Sequence, residues 1–127
     1  MKVKWIGLWI ALTVLALTGC DVVAPPPTPT LPPLAAQGSQ VFERTCSTCH
    51  SAAPDMIVVG PSLAGIATRG GTRIDGMDAE AYIRDSIMNP SAYTVDGFRE
   101  GLMPEAVFES LSPEEFEAVV HYLMTLQ

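Results

Sequence analysis

The sequence is poor in reactive side chains: its 127 residues include only three cysteines and two histidines. Three cysteines are too few for the disulfide framework that stabilises many small exported domains. Basic residues are also scarce, since seven lysines and arginines stand against fourteen acids, which argues against nucleic acid as a partner. No stretch alternates apolar and polar residues as a half-buried strand does. The folded part is therefore expected to be helical and to need another source of stability, such as a cofactor.

Two of the cysteines and one histidine are concentrated in the stretch RTCSTCHSA, as Cys46, Cys49 and His50. Such a cluster fits a redox dithiol, a zinc site or covalent haem attachment. A thioredoxin-like dithiol needs a preceding strand, whereas GSQVFERT predicts a helix. A tetrahedral zinc site would have only His121 as its fourth ligand, and adjacent Cys49 and His50 rarely reach one metal.

Covalent haem attachment uses every reactive residue of this motif. Thiols three positions apart can each add to one vinyl group of a porphyrin, and the histidine that follows them then ligates the iron. The motif predicts one haem c per chain, attached through Cys46 and Cys49, with His50 as an iron ligand.

Residues 1–19 predict an export signal, with a positive start, an apolar core and small residues at its end. Their end, Leu17-Thr18-Gly19-Cys20, resembles the lipobox of bacterial lipoproteins, which implies that Cys20 is lipidated and begins the mature chain. The alternative is an uncleaved membrane helix, but the apolar run Trp5–Leu17 is shorter than the roughly 20 residues needed to span a bilayer. We expect a lipid-anchored protein on the extracytoplasmic face of a bacterial membrane.

Residues 20–34 predict a tether that follows the lipidated cysteine. The stretch DVVAPPPTPTLPPL contains six prolines, which favour an extended polyproline II spacer.

Removal of residues 1–19 takes away Lys2 and Lys4, so the formal charge changes from −7 to −9. An acidic mature chain favours a protein partner with a basic docking face.

Residues 35–127 predict one all-α domain. Its clearest helix follows Ser112, because Ser112 and Glu115 form a capping box around Pro113. Further helices are expected over Asp78 to Met88 and from Ala36 to about Cys46, with loop-rich segments between the helices. The residues expected to face inward are Ala81, Ile83, Ile87 and Met88 in the middle helix and Phe116, Val119, Val120 and Leu123 in the last one.

From about Gly38 onward the chain resembles class I, mono-haem c-type cytochromes. The resemblance rests on CSTCH, on Gly38 and Phe42 before it with Tyr122 in the last helix, on Gly60-Pro61-Ser62-Leu63, and on Leu102-Met103-Pro104. It implies three or more helices packed around one covalently bound haem. It also implies that Gly38 and Phe42 pack against Tyr122, that the Pro61 carbonyl accepts a hydrogen bond from His50, and that Met103 is the second axial iron ligand.

Other residues are assigned around this expected site. Met77 is the competitor of Met103 as ligand, whereas Met88 and Met124 are expected in the core. His121 is expected to be a surface or packing residue and not a ligand. Side chains that could bind the haem propionates are Arg69, Arg73, Tyr93 and Arg99. The residues expected to form the apolar shell are Leu63, Ile66, Ile87, Val107 and Phe108.

A haem with both axial positions filled implies an electron carrier and not an enzyme. We expect a membrane-tethered shuttle of single electrons between a quinol-oxidising complex and an oxidase or reaction centre, through weak, transient protein interfaces. It would have no nucleic acid partner and no small-molecule substrate. The alternatives are a fixed haem subunit of such a complex and, if Met103 does not bind the iron, a haem sensor or peroxidase.

Overall fold

The computed structural model describes residues 30–127, of which Leu31–Gln127 form one compact unit. The predicted signal at residues 1–19, Cys20 and most of the tether lie outside the described residues. All regular secondary structure within residues 30–127 is helical, as expected. The described range contains five α-helices: α1 (Pro33–Val41), α2 (Ile66–Arg69), α3 (Ala79–Met88), α4 (Ala106–Glu109) and α5 (Pro113–Leu123). No helix in this part of the chain combines the length and the hydropathy that a membrane span requires.

Helix α1 begins at Pro33, three residues earlier than the sequence predicted and inside the segment assigned to the tether. Proline suits this first helical position, because its fixed φ is helical and the amide hydrogen it lacks would have no partner there. The Ala36 amide already donates to the Pro32 carbonyl at 2.9 Å. The proline-rich pattern that predicted an extended spacer therefore also supplies the helix start.

Helix α3 begins after Asp78, whose carboxylate accepts a hydrogen bond from the Ala81 amide at 2.8 Å. Ile83 and Ile87 are buried as predicted, but the third buried residue is Tyr82, whereas Ala81 is exposed. The prediction that Met88 faces the core is wrong, since 38% of its surface is exposed. The buried face is rotated by about one residue, because Tyr82 packs edge-to-face on Tyr93 with 5.8 Å between ring centroids.

Helix α5 matches its prediction. The Ser112 side chain accepts from the Glu115 amide and the Glu115 side chain accepts from the Ser112 amide, which completes the capping box. The four predicted inward residues are all buried, and Val119 and Val120 are almost fully enclosed. Both the start and the register of this helix follow from local sequence.

Helices α1 and α5 pack closely where they cross at Gly38. A Cβ atom on Gly38 would collide with the Ala118 carbonyl and lie 2.7 Å from Tyr122 Cβ. Beside this crossing, the rings of Phe42 and Tyr122 pack with centroids 5.4 Å apart. The contact that the cytochrome resemblance implied is therefore present, and it requires glycine at position 38.

Helices α3 and α5 are joined by Arg84. Its guanidinium forms ion pairs with Glu80 on its own helix and Glu117 on α5, at 2.9 and 2.7 Å. It also lies 5.5 Å from the centre of the Phe116 ring.

The short helices α2 and α4 were not predicted, since four-residue helices have too few turns to show a periodic apolar face.

Candidate functional site

An apolar cleft that is open to solvent lies beside the helical core. Its walls come from residues 45–50, 59–73, 82–87 and 90–107, with Leu123 of α5. The cleft brings together Cys46, Cys49, His50, Pro61 and Met103, although these residues span 58 positions of the sequence.

The two cysteines are positioned by a change of helix geometry. After Val41 the chain continues as a π-helical turn over Phe42–Cys46, in which the Ser47 amide donates to the Phe42 carbonyl at 2.9 Å. The Cys46 carbonyl then accepts from the amides of Cys49 and His50, at 3.0 and 2.9 Å. The backbone thereby turns so that both cysteines and His50 line one cleft.

Both thiols are free in the structure. Burial raises the pKa of the Cys46 thiol to about 11, because the Arg44 charge that favours the thiolate only partly offsets the loss of solvation, while Cys49 raises the pKa further. Thiol–disulfide exchange requires a thiolate. At neutral pH this thiol is protonated, which disfavours the dithiol interpretation.

His50 is held in one tautomer. Its Nδ1 lies 2.9 Å from the Pro61 carbonyl oxygen, the contact implied by the resemblance. A carbonyl oxygen only accepts hydrogen bonds, so Nδ1 carries the proton and Nε2 of the neutral ring has a free lone pair. This is the arrangement in which a metal-ligating histidine is oriented by its second ring nitrogen.

Gly60 belongs to the segment that carries the family resemblance, but its own role was not predicted from the sequence. A Cβ at this buried position would lie 2.9 Å from His50 Nδ1 and 3.0 Å from Nε2, so the imidazole packs directly on the glycine backbone. The amides of Val59 and Gly60 donate to the Cys49 carbonyl at 3.1 and 2.8 Å. These bonds fix the Val59–Gly60 backbone against the His50 imidazole. The position of Gly60 directly before Pro61 could have indicated this role. The Pro61 carbonyl can approach the His50 ring closely only if the residue before Pro61 is small.

The methionines separate clearly by position. Met103 is the only methionine of the described residues that lines the cleft. Met77 and Met124 pack against the hydrophobic core, and Met56 is 54% exposed. His121 is exposed, so of its two expected places, at the surface or in packing, it occupies the first.

The predicted apolar shell is present with one exception. Leu63, Ile66, Ile87 and Val107 line the cleft, and additional apolar contacts come from Val95, Phe98 and Leu102. The prediction for Phe108 is wrong: its ring packs edge-to-face on Phe116, with centroids 5.4 Å apart. Phe108 follows Val107 on one-turn helix α4, so the two adjacent side chains point to different sides.

A metal site formed by the protein alone is not found in the described range. Residues 30–127 contain no group of three or more His, Cys, Asp or Glu side chains placed to hold a metal ion. The paired cysteines and His50 instead face an open cleft with a mainly apolar lining.

The family model for cytochrome c matches residues 35–127, which is nearly all of the compact unit Leu31–Gln127. The chain belongs to the cytochrome c family. Members of this family bind haem c covalently through a CxxCH motif, and Cys46 and Cys49 occupy the positions of its cysteines. No curated protein matches the chain significantly. Family membership supports electron transfer by a haem protein and the all-helical fold.

The cleft of this cytochrome fits haem in polarity and charge. Its lining is mainly apolar, as a porphyrin ring requires. Haem also carries two carboxylates, and the cleft contains three of the five arginines of the chain. None of the aspartates and glutamates in residues 30–127 lines it, although acids outnumber bases in this chain.

Proposed function

We propose that this cytochrome carries single electrons between membrane-bound redox proteins, from a quinol-oxidising complex to an oxidase or reaction centre. The observation that carries the proposal is the convergence of Cys46, Cys49, His50 and Met103 on one apolar cleft. Haem bound there supplies reversible one-electron oxidation and reduction of its iron.

His50 and Met103 are proposed as the two axial ligands. The Pro61 carbonyl and the Gly60 backbone hold the imidazole so that Nε2 is the nitrogen available to iron. Met103 is proposed because no other described methionine reaches the cleft. A methionine ligand raises the reduction potential, and two protein ligands leave no open position for oxygen or peroxide.

Replacement of the axial methionine tests this assignment. The ferric wild-type protein is expected to show the weak near-red charge-transfer band of methionine ligation. Met103→Ala is expected to lose that band. Met77→Ala, which replaces the competing methionine, is expected to keep it. A band that survives in Met103→Ala and disappears in Met77→Ala would contradict the proposal.

Membrane attachment through Cys20 is the second part of the proposal. It is supported by the lipobox-like Leu17-Thr18-Gly19-Cys20 and by the proline-rich residues that follow. The twelve residues from Asp21 to Pro32, at about 3.1 Å per residue, keep the domain within roughly 40 Å of the bilayer, so partners are found by a local search. Cys20→Ser is expected to release the cytochrome into the soluble fraction, while haem attachment is unchanged. Retention of Cys20→Ser in the membrane would argue for the uncleaved helix.

A partner surface is proposed next to the cysteine motif. The loop Met56–Val59 is the longest run of exposed large apolar residues in the described part of the chain. It adjoins the cleft, because Val59 lines the cleft and donates its amide to the Cys49 carbonyl. The occupant would be the apolar centre of a redox partner with a basic rim, which complements the acidic mature chain.

Substitution in this loop and ionic strength test the docking proposal. Ile57→Asp is expected to slow electron transfer to native membrane complexes, and added salt is expected to slow the wild type. The control is Leu34→Asp, a similar change on α1. Equal rates for the two variants would overturn this surface. Co-purification with a complex in stoichiometric amount would identify a fixed subunit in place of a shuttle.

A further inference from the structure

We propose that Arg73 binds a propionate carboxylate of the haem and neutralises it within the cleft. The inference rests on haem occupying the cleft, as proposed above, and it selects one residue from the four that the sequence left open. Those four are Arg69, Arg73, Tyr93 and Arg99, and all of them line the cleft.

The arginines outside the cleft are all paired with carboxylates. Arg44 forms an ion pair with Glu115, and Arg84 forms ion pairs with Glu80 and Glu117. The arginines that line the cleft form no ion pair with any described residue. In an acidic chain this separation is informative, because carboxylates are abundant and yet none of those in residues 30–127 lines the cleft.

Arg69 already has a structural task. Its two terminal nitrogens donate to the carbonyls of Ala64 and Ser62, at 2.5 and 2.8 Å. These contacts hold the loop that follows Pro61. Arg69 is therefore a positioning residue for the His50 side of the cleft.

Arg73 differs from both other cleft arginines. Arg99 is exposed, so water can solvate its guanidinium. Arg73 is half-buried, and its Nε is the one fully buried side-chain nitrogen or oxygen in residues 30–127 that has no hydrogen-bond partner. A buried donor without a partner is costly, and a charged one more so. A ligand that accepts this hydrogen bond and carries negative charge removes both costs.

The backbone holds Arg73 in a defined place. The Arg73 amide donates to the Gly70 carbonyl at 3.1 Å at the end of a one-turn 3₁₀ helix, Gly70–Thr72. That turn packs tightly on α3, since a Cβ on Gly70 would lie 3.1 Å from Tyr82 Cδ1. The guanidinium is thus presented to the cleft from a fixed element, and its planar donors match a carboxylate with two parallel hydrogen bonds.

Haem supplies the carboxylate that the cleft lacks. Its propionates are its only acidic groups, and a water molecule could accept the Nε hydrogen bond but would leave the charge unpaired. A carboxylate beside Arg73 is expected to have a pKa lowered by about 1–3 units. The ionisation of that propionate changes the midpoint potential, which makes the contact measurable.

The test is the pH dependence of the midpoint potential of the haem-loaded protein. In Arg73→Gln the propionate-linked change is expected to move to higher pH by about 1–3 units. The matched control is Arg99→Gln, which removes the same charge from an exposed position of the same cleft and is expected to leave the profile close to wild type. Identical profiles for wild type and Arg73→Gln would overturn the assignment to Arg73.

A second variant keeps the test decisive if Arg73→Gln folds poorly. Arg73→Lys retains the charge but loses the planar pair of donors. The infrared band of isotope-labelled haem carboxylates is expected to shift in this variant, and an unchanged band would overturn the proposal. The visible spectrum separates this result from the proposed function, because haem attachment and methionine ligation are read independently of the propionate.

Discussion

The two sides of the cleft are held in different ways. The side that carries His50 is fixed by hydrogen bonds between segments: His50 to Pro61, Val59 and Gly60 to Cys49, and Leu63 to Ser51. Arg69 adds two more bonds within it. On the other side, backbone hydrogen bonds within residues 90–105 are local turns, such as Phe98 to Val95.

The Met103 side therefore depends on packing. Met103 and Tyr93 contact the hydrophobic core while both remain partly exposed. Segments with few buried contacts and few long-range hydrogen bonds open at lower free energy than the rest of a fold. The comparison indicates that this protein presents a preformed histidine and an adaptable methionine to the cleft.

The largest effect is expected from a substitution on the rigid side. Gly60→Ala places a methyl group against the His50 ring, so the imidazole or the Gly60–Pro61 backbone has to move. Such overpacking costs about 1–3 kcal/mol, and we also expect a lower yield of haem-loaded protein. Guanidinium unfolding and the ratio of haem to protein measure the two effects.

Gly97→Ala is the control for Gly60→Ala. Gly97 has φ of 87°, and a Cβ there would meet no atom within 4 Å, so alanine adds only backbone strain of about 1–2 kcal/mol. Haem content is expected to stay at the wild-type level. A similar loss of haem in both variants would show that the His50 side is not held more tightly than the Met103 side.

A smaller effect is expected from Tyr93→Leu on the adaptable side. This change removes the edge-to-face contact between Tyr93 and Tyr82, worth about 0.5–1.5 kcal/mol. The near-red band of methionine ligation is expected to disappear at lower guanidinium concentration than in the wild type, before global unfolding.

Phe108→Leu is the matched control for Tyr93→Leu. The Phe108–Phe116 pair has almost the same geometry, with an interplanar angle of 78° against 79°, but Phe108 does not line the cleft. Phe108→Leu is expected to lower global stability. The near-red band of methionine ligation is then expected to disappear together with global unfolding and not before it. An early loss of the band in both variants would contradict a locally weaker Met103 side.

The smallest effect concerns the ion pair between α3 and α5. The hydrogen bond from Arg84 lowers the pKa of exposed Glu117. A lowered carboxylate pKa stabilises the fold at pH above the unfolded value of about 4.5, and this contribution is lost as pH falls through the folded pKa. Glu117→Gln is therefore expected to lower the melting temperature at pH 7 but not below the folded pKa.

Glu100→Gln is the control for this pH dependence, since Glu100 is exposed, lies outside every helix and forms no ion pair with any described residue. Its melting temperature is expected to follow the wild type at every pH. A pH-independent loss in Glu117→Gln would assign the effect to packing and not to charge.

The extent to which the sequence predicted this molecule depended on the range of the interactions. Helix α5 was predictable because its cap and its apolar period lie within twelve residues. The register of α3 was not, since Ile83 and Ile87 are compatible with either Ala81 or Tyr82 as the next buried residue. Tyr82 is the buried residue because it packs on Tyr93, eleven positions further along the chain. Tertiary packing of this kind leaves no local pattern in the sequence.

The candidate site shows the same limit. The cysteines and His50 follow from a contiguous motif, whereas Pro61 and Met103 were identified through family resemblance. The sequence could not distinguish the roles of the three cleft arginines, because residue identity does not show whether a guanidinium is solvated, hydrogen-bonded or partly buried. Only the three-dimensional structure shows that Arg69 is hydrogen-bonded, that Arg99 is exposed and that Arg73 has a buried Nε without a hydrogen-bond partner in the described residues.

The most direct measurement is the mass of the intact protein purified from a host that matures c-type cytochromes. We predict the mass of the polypeptide plus one haem, with fragmentation placing both linkages on the peptide that contains Cys46 and Cys49. A protein that carries no haem and has both of these thiols free would contradict the account.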